Sequence, residues 1–215
     1  MKYKVVIFDL DGTLIDSLED LGTAVNHVLA AKGFPLHTLP EYRLMVGHGV
    51  RNLVKQALPE PLQADESLVD ECLTLFKSYY TSHIDVHTRP YPGMVELLGQ
   101  LHRNGVLLAV ASNKFQSGTE YLVDKLFPGI PFVAILGNRE GFPLKPDPEI
   151  VGEVLRKAEA AHADAVLVGD SLTDMKTAAN GGIRGIAVSW GYRTLQASDT
   201  LTVVSSAHEL ERILV

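Results

Sequence analysis

Short apolar runs rich in β-branched residues recur along this 215-residue chain, and helix-like segments lie between the later runs. The runs have the length and composition of buried strands. They are Lys4 to Phe8, Val106 to Ala111, Phe132 to Leu136, Ala165 to Val168 and Gly185 to Val188. Strands that alternate with helices predict an α/β fold, in which an open parallel sheet is covered by helices on both faces.

The stretch from residue 16 to residue 86 interrupts this alternation, because it contains no convincing buried strand. Helical spacing of apolar residues predicts helices over residues 18–33, 50–58 and 68–80. Pro35 and Pro40 indicate a loop after the first of them. About 70 residues is long for one crossover. We therefore predict a core of residues 1–15 and 87–215 with a helical cap of residues 16–86. The alternative is that these helices simply cover the sheet.

The charge and cysteine content restrict the partners and location. Acidic residues outnumber basic ones by 26 to 19, a formal net charge of −7 that repels nucleic acid and phosphorylated ligands alike. A phosphate site must therefore gather positive charge locally. No apolar run approaches the roughly 18 residues of a membrane span. The single cysteine, Cys72, cannot form an internal disulfide bond, which favours a reducing cytoplasm. We predict that Cys72 is a small packing residue. Nothing in the sequence indicates the oligomeric state.

Four polar clusters follow four of the predicted strands or lie in the loops just beyond them. They are Asp9 to Thr13, Ser112 to Lys114, Lys145 to Pro148 and Gly169 to Asp174. The carboxyl ends of parallel strands share one edge of the sheet, and ligands bind there. The sequence therefore predicts that these four distant clusters meet in space.

The carboxylates of these clusters indicate a metal site. Asp9 and Asp11 are two residues apart, and an extended backbone places their side chains on one side. Asp170 and Asp174 are four apart, and a helical turn brings them together. Each pair at about 4 Å costs on the order of 4 kcal/mol at an effective dielectric constant of 20. A hard cation relieves this repulsion, and oxygen ligands without thiols suit Mg²⁺.

The remaining polar residues suit phosphoryl transfer. Lys145 would add a fixed positive charge, Ser112 would donate hydrogen bonds, and Gly12 would allow close approach of the backbone. One carboxylate can act as nucleophile while a second protonates the leaving oxygen and then activates water. Each cluster alone also has a plainer interpretation, as a turn, a helix cap or first-turn acidic residues.

This ordered set resembles the haloacid dehalogenase-like hydrolases. Asp9 to Thr13 matches the Asp-x-Asp-Gly-Thr motif of that family in full, and Gly169 to Asp174 matches its closing Gly-Asp-Ser-x-x-Asp motif. Ser112 and Lys145 match the two positions between them. The resemblance spans nearly the whole chain. It implies a Rossmann-like parallel core with a helical cap inserted after the first motif.

The resemblance also implies a role for each matching residue. Asp9 would be the nucleophile that forms an aspartyl phosphate, Asp11 the general acid and base, and Lys145 the third catalytic residue. Mg²⁺ would be held by Asp9, the backbone carbonyl of Asp11 and Asp170, with Asp174 in support. The phosphate-binding residues would be Gly12, Ser112, Asn113 and Lys145.

Within that family the chain looks most similar to the phosphoglycolate phosphatases, for example at Val46 to Gly49 and at Trp190 to Tyr192. The Gly-x-Gly of the cap would bring backbone amides, and His48 or Arg51, over a small phosphorylated metabolite; the alternative is an ordinary loop before a helix. Similar relatives include pyrophosphatases, sugar-phosphate phosphatases and β-phosphoglucomutases. A sensor that binds a phosphorylated metabolite without turnover is the non-enzymatic alternative.

Overall fold

The computed structural model describes residues 2–215 and is built around a six-stranded parallel sheet. In chain order the strands are β1 (Val5–Phe8), β2 (Ile15–Asp16), β3 (Arg89–Pro90), β4 (Leu107–Phe115), β5 (Ala134–Asn138), β6 (Ala165–Gly169), β7 (Arg184–Val188) and β8 (Thr202–Val204). The strand order of the large sheet is β5-β4-β1-β6-β7-β8. Strand β1 is therefore central. The chain continues from β1 to β4 and β5 on one side and then returns to β6 on the other side. In open parallel sheets such a reversal of strand order creates a crevice where ligands bind.

Helices cover both faces of this sheet. In chain order they are α1 (Leu18–Ala31), α2 (Leu39–Met45), α3 (Val50–Ala57), α4 (Glu66–Thr81), α5 (Met94–Arg103), α6 (Gln116–Leu126), α7 (Glu149–Ala158), α8 (Leu172–Asn180) and α9 (Ala207–Leu214). Alternate side chains of β1 point to opposite faces. Val5 and Ile7 join an apolar cluster with α7 and α8, whereas Val6 and Phe8 join one with α5 and α9. The predicted α/β architecture is confirmed.

Helices α1 to α4, which we call the helical insert, lie between β2 and β3. These two short strands pair antiparallel, so the chain leaves and re-enters the core at one place. Buried Asp20 fixes this junction, because its carboxylate accepts hydrogen bonds from the backbone N–H groups of His87 and Thr88 and from the Thr88 hydroxyl. The insert shares one apolar cluster with the sheet face that carries Val6 and Phe8. The division into residues 1–15 with 87–215 and residues 16–86 stays a prediction.

The structure corrects two details of the secondary structure. Residues 39–45 form α2, where the two prolines indicated a loop. Pro40 lies in the first turn, where a helix does not need its N–H, and Thr38 and Glu41 form a capping box. Ser112 to Lys114 lie within the last part of β4 and not beyond it, where the pairing with β5 shifts register between Ala111 and Phe115.

Cys72 is buried in the insert with a free thiol, as expected of a packing residue. Within residues 2–215 no helix combines the length and the apolar character needed to cross a bilayer.

Candidate active site

Asp9 follows the central strand directly, and its buried carboxylate meets Lys145. The strand pairing places it, because the Asp9 N–H donates to the carbonyl of Val168 on the neighbouring strand at 2.9 Å. Lys145 Nζ donates to Asp9 Oδ1 at 2.8 Å, to Asp174 Oδ1 at 2.7 Å and to the carbonyl of Ala111 at 2.8 Å. One buried ammonium group therefore joins residues from three separate parts of the chain.

Asp170 and Asp174 complete an acidic group with Asp9. One carboxylate oxygen from each of the three residues lies within 4.8 Å of the others. Asp174 also serves as a helix cap, since Ser171 N–H and Oγ donate to its Oδ2 at 3.1 Å and 2.6 Å. The capping role and the site role are thus compatible, because each uses a different oxygen of the same carboxylate.

The crowding of these carboxylates shifts their protonation. Burial, and then the charge of Asp174, hold the pKa of Asp9 well above its ordinary value, although Lys145 opposes the shift. Burial and Asp174 also raise the pKa of Asp170 to about 7. Burial would lower the pKa of Lys145, but Asp174 and Asp9 outweigh it and raise that pKa. The lysine therefore stays charged, while the acidic group carries an excess of negative charge that a cation would relieve.

The donor set fits a hard divalent cation. It consists of carboxylate oxygens without a thiol or imidazole, as Mg²⁺ prefers. The backbone also closes in on Asp170: a Cβ atom at Gly12, which has φ +89°, would overlap Asp170 Oδ2. A Cβ atom at Gly191 would overlap the same side chain and the carbonyl of Gly12. Two loops thus depend on glycine to approach one carboxylate.

The Asp11 side chain lies apart from this acidic group and borders a neighbouring cleft. Its Oδ1 accepts hydrogen bonds from Ser17 Oγ at 2.5 Å and from Lys114 Nζ at 3.2 Å. Its Oδ2 accepts from Lys114 Nζ at 3.3 Å. Ser17 and Lys114 thus engage this carboxylate, and the backbone carbonyl of Asp11 stays the atom predicted to bind metal.

The side chain of Asn113 is engaged with backbone groups, and the contact of this residue with phosphate stays a prediction. Its Oδ1 accepts from the Lys145 N–H at 2.8 Å, and its Nδ2 donates to the carbonyls of Lys145 and Gly47, both at 3.2 Å. Asn113 thus holds the loop that carries Lys145 and links it to the insert. Ser112 is buried and lines the cleft, and its hydrogen bond to phosphate stays a prediction.

The two predicted insert residues do not line the cleft. The guanidinium group of Arg51 is paired with Glu66 at 2.7 Å and Asp70 at 2.8 Å on the outside of the insert. His48 is exposed, although the glycines on either side of it, Gly47 and Gly49, border the cleft. In this arrangement nearby carboxylates pair with the Arg51 guanidinium group, and its placement over the substrate stays a prediction.

A narrow cleft opens between the core and the insert. The core supplies its polar side: Asp9, Asp11, Ser112, Asn113 and Lys114. The insert supplies apolar side chains and two glycines: Leu21, Val46, Val50, Leu53, Gly47 and Gly49. Asp9 of the acidic group therefore lies at the polar side of a cleft whose other side is formed by the insert.

Three further residues hold the site together, and the sequence did not assign them a role. Lys114 is buried against Asp11; its spacing of two from Ser112 in a strand was the available signal. The Tyr192 N–H donates to Asp170 Oδ2 at 2.6 Å, and its hydroxyl accepts from the Ser17 N–H at 2.8 Å. Arg193 donates to backbone carbonyls at the end of α2, including that of Leu44 at 2.7 Å.

Comparison with known proteins gives a consistent family. A family model described as haloacid dehalogenase-like hydrolase matches residues 6–188. A phosphoglycolate phosphatase of Mesorhizobium japonicum is 37% identical over 193 residues, which cover 89% of this chain and 85% of that protein. Phosphoglycolate phosphatase 1 of Pseudomonas aeruginosa is 38% identical over 193 residues, which cover 88% of this chain and 70% of that protein.

Solved structures agree with this comparison. A crystal structure from Lactobacillus delbrueckii subsp. bulgaricus superposes with a TM-score of 0.92 at 32% identity and covers 100% of this chain and 99% of its own. CbbY from Rhodobacter sphaeroides, solved in complex with phosphate, has a TM-score of 0.80 at 23% identity and covers 97% of this chain and 96% of its own. The second comparison supports the fold alone.

Proposed function

The chain belongs to the haloacid dehalogenase-like hydrolases, and on that basis we propose that it is a Mg²⁺-dependent phosphatase that forms an aspartyl phosphate on Asp9. One observation carries the proposal: the carboxylates of Asp9, Asp170 and Asp174 lie within 4.8 Å of one another beside the buried ammonium group of Lys145. A nucleophile, a cation site and a fixed positive charge thus occupy one edge of the sheet. Phosphoryl transfer needs this combination, because it depends on positioning and on stabilising the phosphoryl oxygens.

The proposed reaction has two displacements at phosphorus. In the first, an Asp9 oxygen bonds to phosphorus, the bond to the leaving oxygen breaks, and Asp11 gives that oxygen a proton. In the second, Asp11 takes a proton from water, and the water oxygen bonds to phosphorus. The bond to Asp9 then breaks. Inorganic phosphate leaves and the Asp9 carboxylate is restored.

The side chains divide the other tasks between them. Lys145 holds Asp9 Oδ1 at 2.8 Å, which orients the nucleophile and places positive charge beside the phosphoryl group. Asp9, Asp170 and the Asp11 backbone carbonyl would hold Mg²⁺, with Asp174 in support. When bound, Mg²⁺ would neutralise charge on the phosphoryl oxygens. Ser112 and the backbone near Gly12 would donate hydrogen bonds to the same oxygens.

We propose a small phosphorylated metabolite as the substrate, with 2-phosphoglycolate as the first candidate. The names of the two curated relatives support this choice. The leaving group would lie between the polar side chains of the core and the apolar side chains of the insert that line the cleft. Pyrophosphatase and β-phosphoglucomutase-type activities are the alternatives. We also propose a cytoplasmic location, with which the free thiol of Cys72 agrees.

A panel of phosphate compounds tests the substrate. Purified protein with Mg²⁺ is given 2-phosphoglycolate, pyrophosphate and hexose phosphates, and released phosphate is measured. We expect the highest kcat/KM for 2-phosphoglycolate. Faster release from pyrophosphate would identify pyrophosphate as the preferred substrate. Conversion of one hexose phosphate to its isomer without phosphate release would identify a mutase instead of a hydrolase. No turnover of any compound, combined with binding, would indicate a sensor.

Removal of metal should abolish hydrolysis, because Lys145 alone would then balance the charge of three carboxylates and of the phosphoryl group. The measurement is phosphate release in excess chelator, followed by addition of Mg²⁺ beyond the chelator. We expect the activity to disappear and then to recover. Full activity in chelator would show that hydrolysis does not require the metal.

The affinity for Mg²⁺ should fall as the pH drops through about 7, the value to which burial and Asp174 raise the pKa of Asp170. Below that pH a proton occupies the carboxylate and competes with the cation, so affinity should decrease by up to roughly tenfold per pH unit. Above it the affinity should level off. Calorimetric titration of the protein with Mg²⁺ across this range measures the effect, and a flat profile would contradict it.

A further inference from the structure

Lys114 is a buried cation that lines the cleft but takes no part in the steps above. Its ammonium group lies between two parts of the molecule: the Asp11 carboxylate, at 3.2 Å and 3.3 Å, and the Tyr80 hydroxyl of α4, at 2.7 Å. Its side chain is 1% exposed. Burial alone would lower the pKa of Lys114, but Asp11 and Tyr80 outweigh it and raise that pKa. A charged group this deeply buried has a defined position set by its partners.

Tyr80 is itself firmly placed. It is fully buried, stacks on Phe76 at 5.1 Å between ring centroids, and meets the edge of Phe115 at 6.2 Å. Burial raises the pKa of its hydroxyl, which therefore remains protonated. The Lys114 ammonium group also lies 4.9 Å from the centre of the Tyr80 ring, within reach of a cation–π interaction. A residue of the insert thus fixes a lysine of the core.

Lys114 in turn fixes Asp11. Both carboxylate oxygens of Asp11 accept from the same ammonium group, and Ser17 Oγ also donates to Oδ1. Within the described residues Oδ2 has the single, longer hydrogen bond. Oδ1 therefore has two donors and Oδ2 one, which makes Oδ2 the oxygen with more capacity left for exchanging a proton with a ligand.

We propose that Lys114, held by Tyr80, is a positioning residue that sets the orientation of Asp11 for proton transfer to the leaving oxygen. This inference rests on the proposed function. The competing role, a direct ligand for a carboxylate of the substrate, is less favoured because the ammonium group already donates to three protein oxygens, as many as it has N–H groups.

The two roles predict losses of rate on different substrates when Lys114 is replaced. Proton transfer matters for an alkoxide leaving group and matters little for a leaving group that departs as a stable anion. Three compounds of similar size separate the effects: 2-phosphoglycolate, ethyl phosphate and acetyl phosphate. The first two release an alkoxide oxygen, and acetyl phosphate releases acetate. Of the three intact substrates, only 2-phosphoglycolate carries a free carboxylate that a lysine could bind.

The variant Lys114→Met keeps the length of the side chain and removes the charge. We expect kcat/KM to fall on the order of 10²-fold for 2-phosphoglycolate and for ethyl phosphate, and by less than about tenfold for acetyl phosphate. The ratio kcat/KM reports the steps up to departure of the leaving group. Tyr80→Phe, a milder change in case the lysine variant does not fold, should give the same pattern with smaller losses.

A second lysine, tyrosine and aspartate group on the surface supplies matched controls. Lys125 pairs with Asp85, and the Tyr121 hydroxyl donates to the same carboxylate at 2.8 Å. Lys125→Met and Tyr121→Phe make the same chemical changes at exposed positions. They should leave all three rates unchanged.

Each other outcome overturns the inference. A loss confined to 2-phosphoglycolate would make Lys114 a ligand of the substrate carboxylate. Equal losses on all three compounds would make it a general support of the fold, and unchanged rates would give it no role. If the unchanged protein releases phosphate from none of the three, the proposed function fails first, and the inference fails with it.

Discussion

Replacing Asp9 with asparagine should abolish phosphate release while leaving the protein folded. Asparagine has nearly the same shape, but its amide cannot attack phosphorus and cannot form an acyl phosphate. Loss of a nucleophile in other hydrolases costs on the order of 10⁴-fold to 10⁶-fold in kcat, and we expect a loss in that range here. Steady-state phosphate release with Mg²⁺ present gives the rate.

Stability measurements separate lost chemistry from misfolding. Because burial and Asp174 raise the pKa of Asp9, its charged form is disfavoured in the folded state, and a neutral amide removes that cost. The midpoint of thermal unfolding of Asp9→Asn should therefore equal or exceed that of the unchanged protein. The same substitution at exposed Asp124 is the control and should alter neither property. Near-normal turnover by Asp9→Asn would show that Asp9 is not the nucleophile.

Replacing Lys145 with methionine should damage both turnover and stability. The methionine keeps the volume of the side chain but leaves Asp9 and Asp174 without their shared cation. Loss of one preorganised charge-stabilising group costs roughly 10²-fold to 10³-fold in kcat. Removal of one partner from a buried ion pair costs about 3–5 kcal/mol of unfolding free energy. We expect losses of these sizes.

The stability loss should depend on pH in a defined direction. Without the ammonium group the two carboxyl groups hold their protons more tightly in the folded state. The variant is therefore most destabilised at alkaline pH, and its deficit should shrink as the pH falls and the carboxyl groups become protonated. Urea unfolding at about pH 8 and about pH 5.5 measures this change, with exposed Lys157→Met as the control. A deficit that does not change with pH, or a normal kcat, would contradict the assigned position of Lys145.

The strand ends were the part of the site that sequence could predict. In a parallel sheet the residues that follow β1 and β6 must lie side by side, so the approach of Asp9 and Asp170 follows from strand order alone. Lys145 could be assigned by motif, although its contacts depend on how its loop folds back. Sequence spacing therefore predicts the positions of those site residues that strand pairing places.

The insert was harder to predict because tertiary contacts decide it. Arg51 looked available for a ligand, but Glu66 and Asp70 become its neighbours only when α3 packs against α4. The contact of Tyr80 with Lys114 joins residues 34 positions apart and leaves no local pattern. Pro40 was read as a breaker, although the first turn of a helix tolerates it. Such outcomes depend on which surfaces meet, and spacing along the chain does not encode that.

The apolar cluster that the insert shares with one face of the sheet has a consequence for how the molecule melts. Leu21 and Phe76 of the insert belong to the same cluster as Val6 and Phe8 of the sheet. The insert and this face of the sheet share one apolar interior, and β1 also carries the apolar cluster of the opposite face, so that loss of β1 disrupts both. We therefore expect one cooperative unfolding transition, with the slowest-exchanging amides of α1 and β1 losing protection together.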